Sequence, residues 1–207
     1  ESVNVPKLEL NKGIIPDKNI RLEFFDIINR DDPLFNYIFK DCVPERVKAL
    51  VPEARFIILL RNPVDRAYSH FHQRERRLPS GLTFEEFIMP ALSGDVSEIH
   101  ELASNMLRRG LYGQQITHWF KHFDKGQFIL FESEEFFASP NDTMKQVHKF
   151  LGLEHVPLED ETPRKIGQYT TQMKPETREI LNNYYAKSNQ QLIQLGLNFS
   201  WLKHESS

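Results

Sequence analysis

Two short apolar runs organise this chain. "RFIILL" at residues 55–60 and "QFILF" at 127–131 are continuous rather than alternating. That is the pattern of strands buried on both faces of a parallel sheet. Elsewhere apolar residues recur at three- and four-residue spacing: Val43, Val47 and Leu50; Val64, Ala67, Tyr68 and Phe71; Ile116, Trp119, Phe120 and Phe123; Met144, Val147, Phe150 and Leu151. Each set predicts a helix with one buried face. The aromatic set at 119–123 reads as core. Turn formers mark the ends. Pro44 fits a first helical turn and Pro52 stops that helix. The helix from about Val64 to Arg77 ends at Pro79-Ser80-Gly81. Thr83 and Glu86 form a capping box for "FEEFIMPAL". Ser139-Pro140 opens a helix that Gly152 closes, and Pro175 begins a long one that Gly196 ends. Residues 93–106 are expected to be an exposed connection. Residues 1–38 mix turn formers with one apolar burst, Leu22 to Ile28.

Helix, strand, helix, helix, strand, helix predicts an α/β domain with a parallel sheet. At 207 residues, with no repeat and no composition break, one domain is expected. Forty per cent hydrophobic and 27 per cent charged residues fit an ordinary globular chain. The single cysteine, Cys42, excludes an internal disulfide and a multi-cysteine metal site. It favours a reducing, cytoplasmic setting. No apolar run reaches the roughly 18 residues of a membrane span. The chain opens without Met or a signal-like stretch, so its start reads as trimmed.

Net charge changes the picture only locally. The chain carries −3 overall, yet Arg61 to Arg77 holds five arginines against Asp65 and Glu75. This basic patch on an acidic protein suits a small anionic ligand and argues against a nucleic-acid partner. "RERR" at 74–77 reads as a solvated face or as a steering patch for an anionic acceptor. Arg61 falls at the carboxyl end of the first strand, where open α/β sheets bind ligands. Asn62-Pro63 forces a turn, and Ser69 lies roughly 8 Å along the next helix at 1.5 Å per residue. A guanidinium plus a hydroxyl near a helix N-terminus makes a phosphate clamp. The alternative is a surface arginine paired with Asp65 and a solvated serine, and spacing alone does not decide between them.

The segment "RFIILLRNPVDRAYSHFHQRERR" resembles the 3′-phosphate-binding segment of sulfotransferases that use 3′-phosphoadenosine 5′-phosphosulfate (PAPS). It is most similar to bacterial members, to the sulfotransferase domains of heparan sulfate N-deacetylase/N-sulfotransferases and to polyketide-synthase sulfotransferase domains. The resemblance implies a P-loop-like three-layer sandwich, with a central parallel sheet flanked by helices. It also implies that Arg61 and Ser69 hold the nucleotide's 3′-phosphate. "RGLYGQQITHWFKHFDKGQFILFESEEFFASPNDTMKQVHKFLGL" resembles the family's Gly-x-Tyr helix, next strand and "P…FLGL" helix. "PRKIGQYTTQMKPETREIL" resembles the loop that closes over the nucleotide, with Ile166 interrupting the pattern and one extra residue between Tyr and Met. Arg164, Lys165, Gly167 and Tyr112 are the further contacts so implied. The likeness runs from residue 37 to 202.

The resemblance also exposes a gap. Members carry a Lys-x-Gly-Thr-Thr loop whose amides cradle the 5′-phosphosulfate. Lys12-Gly13 lacks both the Ser/Thr and a following helix, and reads as a turn. "RLEFFD" resembles the "KExHFFD" stretch that follows the loop, so the first 38 residues are expected to be a partial remnant of the family's N-terminal third, with pieces missing between residues 1 and 40. The heparan-type catalytic Glu falls in that gap. His70 and His72 beside the clamp are the remaining candidates for the base, with Asp31 and Asp32 as alternatives, while a histidine on so basic a helix also reads as solvated. The remaining histidines show no metal-ligand spacing, and no metal is expected. The implied reaction moves a sulfuryl group from PAPS to a hydroxyl or amine of a small-molecule, lipid, acyl-carrier-bound or carbohydrate acceptor, releasing 3′-phosphoadenosine 5′-phosphate (PAP). The competing readings are a degenerate nucleotide-binding or scaffold module and a P-loop kinase, the latter lacking GxxxxGK[ST].

Overall fold

The computed structural model describes residues 23–26, 38–94, 97–161 and 171–205. Three parallel strands, β1 (Glu23–Asp26), β2 (Phe56–Leu60) and β3 (Phe128–Glu132), lie side by side in the order β1-β2-β3. β2 is central: Phe56 pairs with Glu23 on one side and Phe128 on the other. Its unbroken apolar run is explained by two buried faces. Phe56, Ile58 and Leu60 face a core containing Tyr112, Ile116 and Trp119. Ile57 turns the other way, toward Phe131, Val147 and Leu151. Phe56 sits at the centre of the first core, stacked on Phe128 and edge-on to Trp119 and Phe123.

The helices follow the expected order. They are α1 (Val43–Leu50), α2 (Pro63–Arg74), α3 (Phe84–Leu92), α4 (Glu98–Arg108), α5 (Tyr112–Trp119), α6 (Ser133–Ala138), α7 (Pro140–Leu151) and α8 (Pro175–Gln194). α7 packs on one face of the sheet, and α5 with the end of α8 covers the other. This is the three-layer α/β sandwich. A further apolar cluster joins α2, α3, α4 and α8 through Val64, Phe71, Phe87, Met106 and Tyr185. The Thr83–Glu86 capping box forms as spelled, with both reciprocal bonds present. Gly152 closes α7 at φ 75°, where a residue without Cβ is least strained.

Some boundaries differ from expectation. Residues 93–106 are not an exposed connection: most belong to α4, which buries Ala103, Met106 and Leu107. Ile99, Leu102, Ala103, Met106 and Leu107 already stand at helical spacing, and packing against α3 fixes them. The helix expected over 112–123 ends at Trp119, and the chain turns so that Phe123 still reaches the Phe56 core. α2 ends at Arg74 and passes into a 3-10 turn, Glu75–Arg77. α6 is a short helix that the sequence did not announce. The readings made for residues 1–22 and 27–37, including Lys12-Gly13, Asp31 and Asp32, lie outside the described residues. No helix among the described residues is long and apolar enough to cross a membrane.

Candidate anion-binding site

The carboxyl ends of β2 and β3 lie together, and Arg61 is the first residue past β2. Its Nε is 3.7 Å from Oε1 of Glu134 in the first turn of α6, both side chains being partly exposed. Asp65, the alternative partner, pairs instead with Arg178 of α8 at 2.7 Å. Arg61 therefore stands at the carboxyl end of the sheet's central strand, against a carboxylate.

Asn62 caps α2: its side-chain oxygen accepts from the Val64 and Asp65 amides at 2.9 and 3.4 Å. This refines the expected clamp. Two first-turn amides that would otherwise face an anion are already satisfied, so an anion here relies on side chains. Ser69 is buried, 4% exposed, two turns into α2. A solvated serine is thus ruled out. Gly110, in the turn between α4 and α5, lets that turn press on the start of α2. A Cβ there would fall 2.7 Å from the Tyr185 ring and 3.0 Å from Pro63.

The histidines face different surroundings. Residues 66, 70 and 74 share one stripe of α2 at i, i+4, i+8, while Ser69 and His72 share another at i, i+3. His70 is 7% exposed, and its Nε2 accepts from Arg74 Nε at 3.1 Å. Burial, then the charges of Arg66, Arg109 and Arg74, hold its pKa down to about 2. His72 lies edge-on to Tyr68, with Nδ1 3.3 Å from a Glu75 carboxylate oxygen. Tyr112 is fully buried in the sheet-facing core. Burial pushes its phenol up to about 12, with Arg66, Glu134 and Arg61 all within electrostatic reach. Its hydroxyl lies by Arg66 but outside good hydrogen-bond geometry.

Arg164, Lys165 and Gly167 lie outside the described residues. The chain is described again from Thr171, whose carbonyl accepts from the Tyr68 hydroxyl at 2.7 Å. Glu85 then accepts from Lys174 N and the Thr177 hydroxyl at the head of α8. Thr171 and the head of α8 are therefore tied to α2 and α3. Sequence reasoning missed Glu134, Arg66 and Arg109. Arg66 was detectable from its i, i+4 spacing to His70; the other two approach only through tertiary packing. Among the described residues no group of three or more His, Cys, Asp or Glu is placed to hold a metal.

A parallel sheet with an arginine just past its central strand and a buried serine on the next helix places the chain among three-layer α/β domains, whose ligands bind beyond the strand ends. The chain belongs to the sulfotransferase family: the Sulfotransferase domain matches residues 37–205. It is 33% identical over 119 residues to bifunctional heparan sulfate N-deacetylase/N-sulfotransferase 2 of Bos taurus, covering 56% of this chain and 14% of that one. It is 33% identical over 141 residues to the corresponding protein 1 of Xenopus tropicalis, covering 64% and 16%. The chain thus spans less than a fifth of these curated relatives. Its fold is similar to that of the sulfotransferase from Alicyclobacillus acidocaldarius, at TM-score 0.67 and 24% identity over 82% of this chain and 65% of that one.

Proposed function

We propose that this chain transfers the sulfuryl group of PAPS to an acceptor hydroxyl or amine and releases PAP. The observation that carries the reading is Arg61 past the end of β2 with Ser69 buried on α2, in a chain of the sulfotransferase family. Arg61 and Ser69 hold the 3′-phosphate. Arg61 exchanges its ion pair with Glu134 for a shorter, charge-assisted contact. Tyr112, without exposed surface, lies within electrostatic reach of Arg61 and Arg66. By the family resemblance, Arg164, Lys165 and Gly167 contact the nucleotide as well.

In the reaction the acceptor oxygen or nitrogen attacks sulfur in line. The new bond to sulfur forms as the bond from sulfur to the bridging 5′-phosphate oxygen breaks, and PAP leaves with that electron pair. The acceptor proton passes to a base. His70 is a poor proton acceptor near neutral pH, so we assign it to the arginine stripe. His72 is the better candidate: the Glu75 carboxylate accepts from Nδ1–H, and Nε2, buried here, takes the proton where the acceptor reaches it. Catalysis otherwise consists of positioning and charge stabilisation. The acceptor is a small-molecule, lipid, acyl-carrier-bound or carbohydrate group; the curated relatives' names point to an amine of heparan sulfate for those proteins.

The test is PAP release from sulfur-labelled PAPS across hydroxyl and amine acceptors. Acceptor-dependent release is expected, falling about ten- to a hundredfold in Arg61→Ala, the loss of a charge-assisted hydrogen bond. A degenerate nucleotide-binding module is the second reading, favoured by the lack of a Lys-x-Gly-Thr-Thr run in residues 1–38. It predicts PAP binding with no PAPS consumed.

A further inference from the structure

β3 ends at Glu132, and Glu134 and Glu135 follow in the first turn of α6. The fold gives these three carboxylates different surroundings. Glu132 is buried and accepts from the Ser200 amide at 2.8 Å and from the Ser200 hydroxyl, so it belongs to the packing of the C-terminal segment. Glu135 stands exposed. Glu134 is the one that reaches Arg61, its Oε1 lying 3.7 Å from Nε. Its other oxygen accepts from the Ser133 hydroxyl at 3.0 Å, and Ser133 is 1% exposed. A buried hydroxyl thus holds one side of the carboxylate while the other faces the guanidinium.

Among the described residues no other carboxylate pairs with Arg61. Asp65, the nearest one along the chain, is taken by Arg178 at 2.7 Å. The first-turn amides of α2 are taken by the Asn62 side chain. Guanidinium and helix amides, the two kinds of group that meet an anion at this strand end, therefore already carry acceptors from the protein itself. A half-exposed ion pair adds little to stability. Its effect falls on any anion that seeks the same guanidinium, because the newcomer has to replace the carboxylate. One negative charge replacing another at similar distance gains nothing. A phosphate with two charges and several oxygens gains Coulomb energy and a bidentate contact.

We propose that Glu134 is a specificity-determining residue of this site: as the counter-ion of Arg61 it turns away singly charged anions and yields to a doubly charged phosphate group. The inference rests on the proposed role of Arg61 in holding the nucleotide's 3′-phosphate, and it names what sets the selectivity of that contact. Glu134 weakens every ligand at Arg61, and singly charged ones most.

Calorimetric titration of PAP into wild type, Glu134→Gln and Glu135→Gln tests it, each in sodium chloride and in sodium gluconate at matched ionic strength. In gluconate, Glu134→Gln is expected to bind PAP about two- to fivefold tighter than wild type, the release of an exposed ion pair. Chloride is expected to weaken PAP binding more in Glu134→Gln than in wild type, because the freed guanidinium accepts it. Glu135→Gln removes the same charge one residue away and should match wild type in both salts, with all three proteins folded by their melting temperatures. PAP affinity unchanged or lower in Glu134→Gln, an equal gain in Glu135→Gln, or the same chloride response in all three would reduce Glu134 to an ordinary surface charge and overturn the proposal. The nucleotide reading would survive that result if Arg61→Ala still binds PAP more weakly than wild type. Wild type that binds no PAP would fail the nucleotide reading, and this inference with it.

Discussion

His70 shows how far one position departs from what its letter suggests. In the sequence it is a histidine on a basic helix, a solvated residue sooner than a base. In the fold it is buried against Arg74 with its pKa at about 2 rather than 6.5. The unfolded chain takes up a proton as pH falls through about 6.5, while the folded protein does not until about 2. The neutral ring's contribution is therefore complete above the unfolded value and declines below it, by about 1.4 kcal/mol for each pH unit. His70→Gln should flatten the fall of the urea midpoint between roughly pH 7 and pH 5 relative to wild type. Identical slopes in the two proteins would mean that His70 is not buried neutral. Arg61 and Ser69 were legible because strand end and helix phase are local properties, whereas Asn62 read as a turn former and its cap came from the fold. The Glu134 ion pair and Arg109 were not, since both depend on segments that meet only when the sheet forms.

At the scale of elements, strands β2 and β3 could be read from unbroken apolar runs, and α7 and α8 from their proline starts and glycine stops. α4 was misjudged because its polar residues, Glu98, His100, Glu101, Ser104 and Asn105, dilute an apolar stripe that is nevertheless present. α6 is too short to carry a period. The turn into α5 has a requirement that no pattern of polarity reveals. A Cβ on Gly113 would lie 2.1 Å from the Ser188 carbonyl oxygen and 2.7 Å from Gln191 Cβ, and its amide donates to the Ser188 hydroxyl at 2.9 Å. α5 and α8 touch at that spot without room for a methyl group. Gly113→Ala should lower stability by about 1–3 kcal/mol or more, as overpacking does, read as a drop in urea midpoint. An unchanged midpoint would show that α5 and α8 do not pack this closely in solution.

For the whole molecule, the sandwich brings Arg61, Arg66 and Glu134 within electrostatic reach of Tyr112, although they belong to the end of β2, to α2 and to α6. A chain of net charge −3 thereby carries positive charge at the place that the proposed function assigns to a phosphate-bearing donor. On the proposed function, Arg61 and Ser69 grip the nucleotide. Calorimetric titration of PAP into wild type, Arg61→Ala and Ser69→Ala tests it most directly. The account predicts binding by wild type that weakens about tenfold or more in Arg61→Ala and measurably in Ser69→Ala, with all three folded by circular dichroism. Wild-type protein that binds no PAP, or Arg61→Ala that binds it unchanged, would contradict the account.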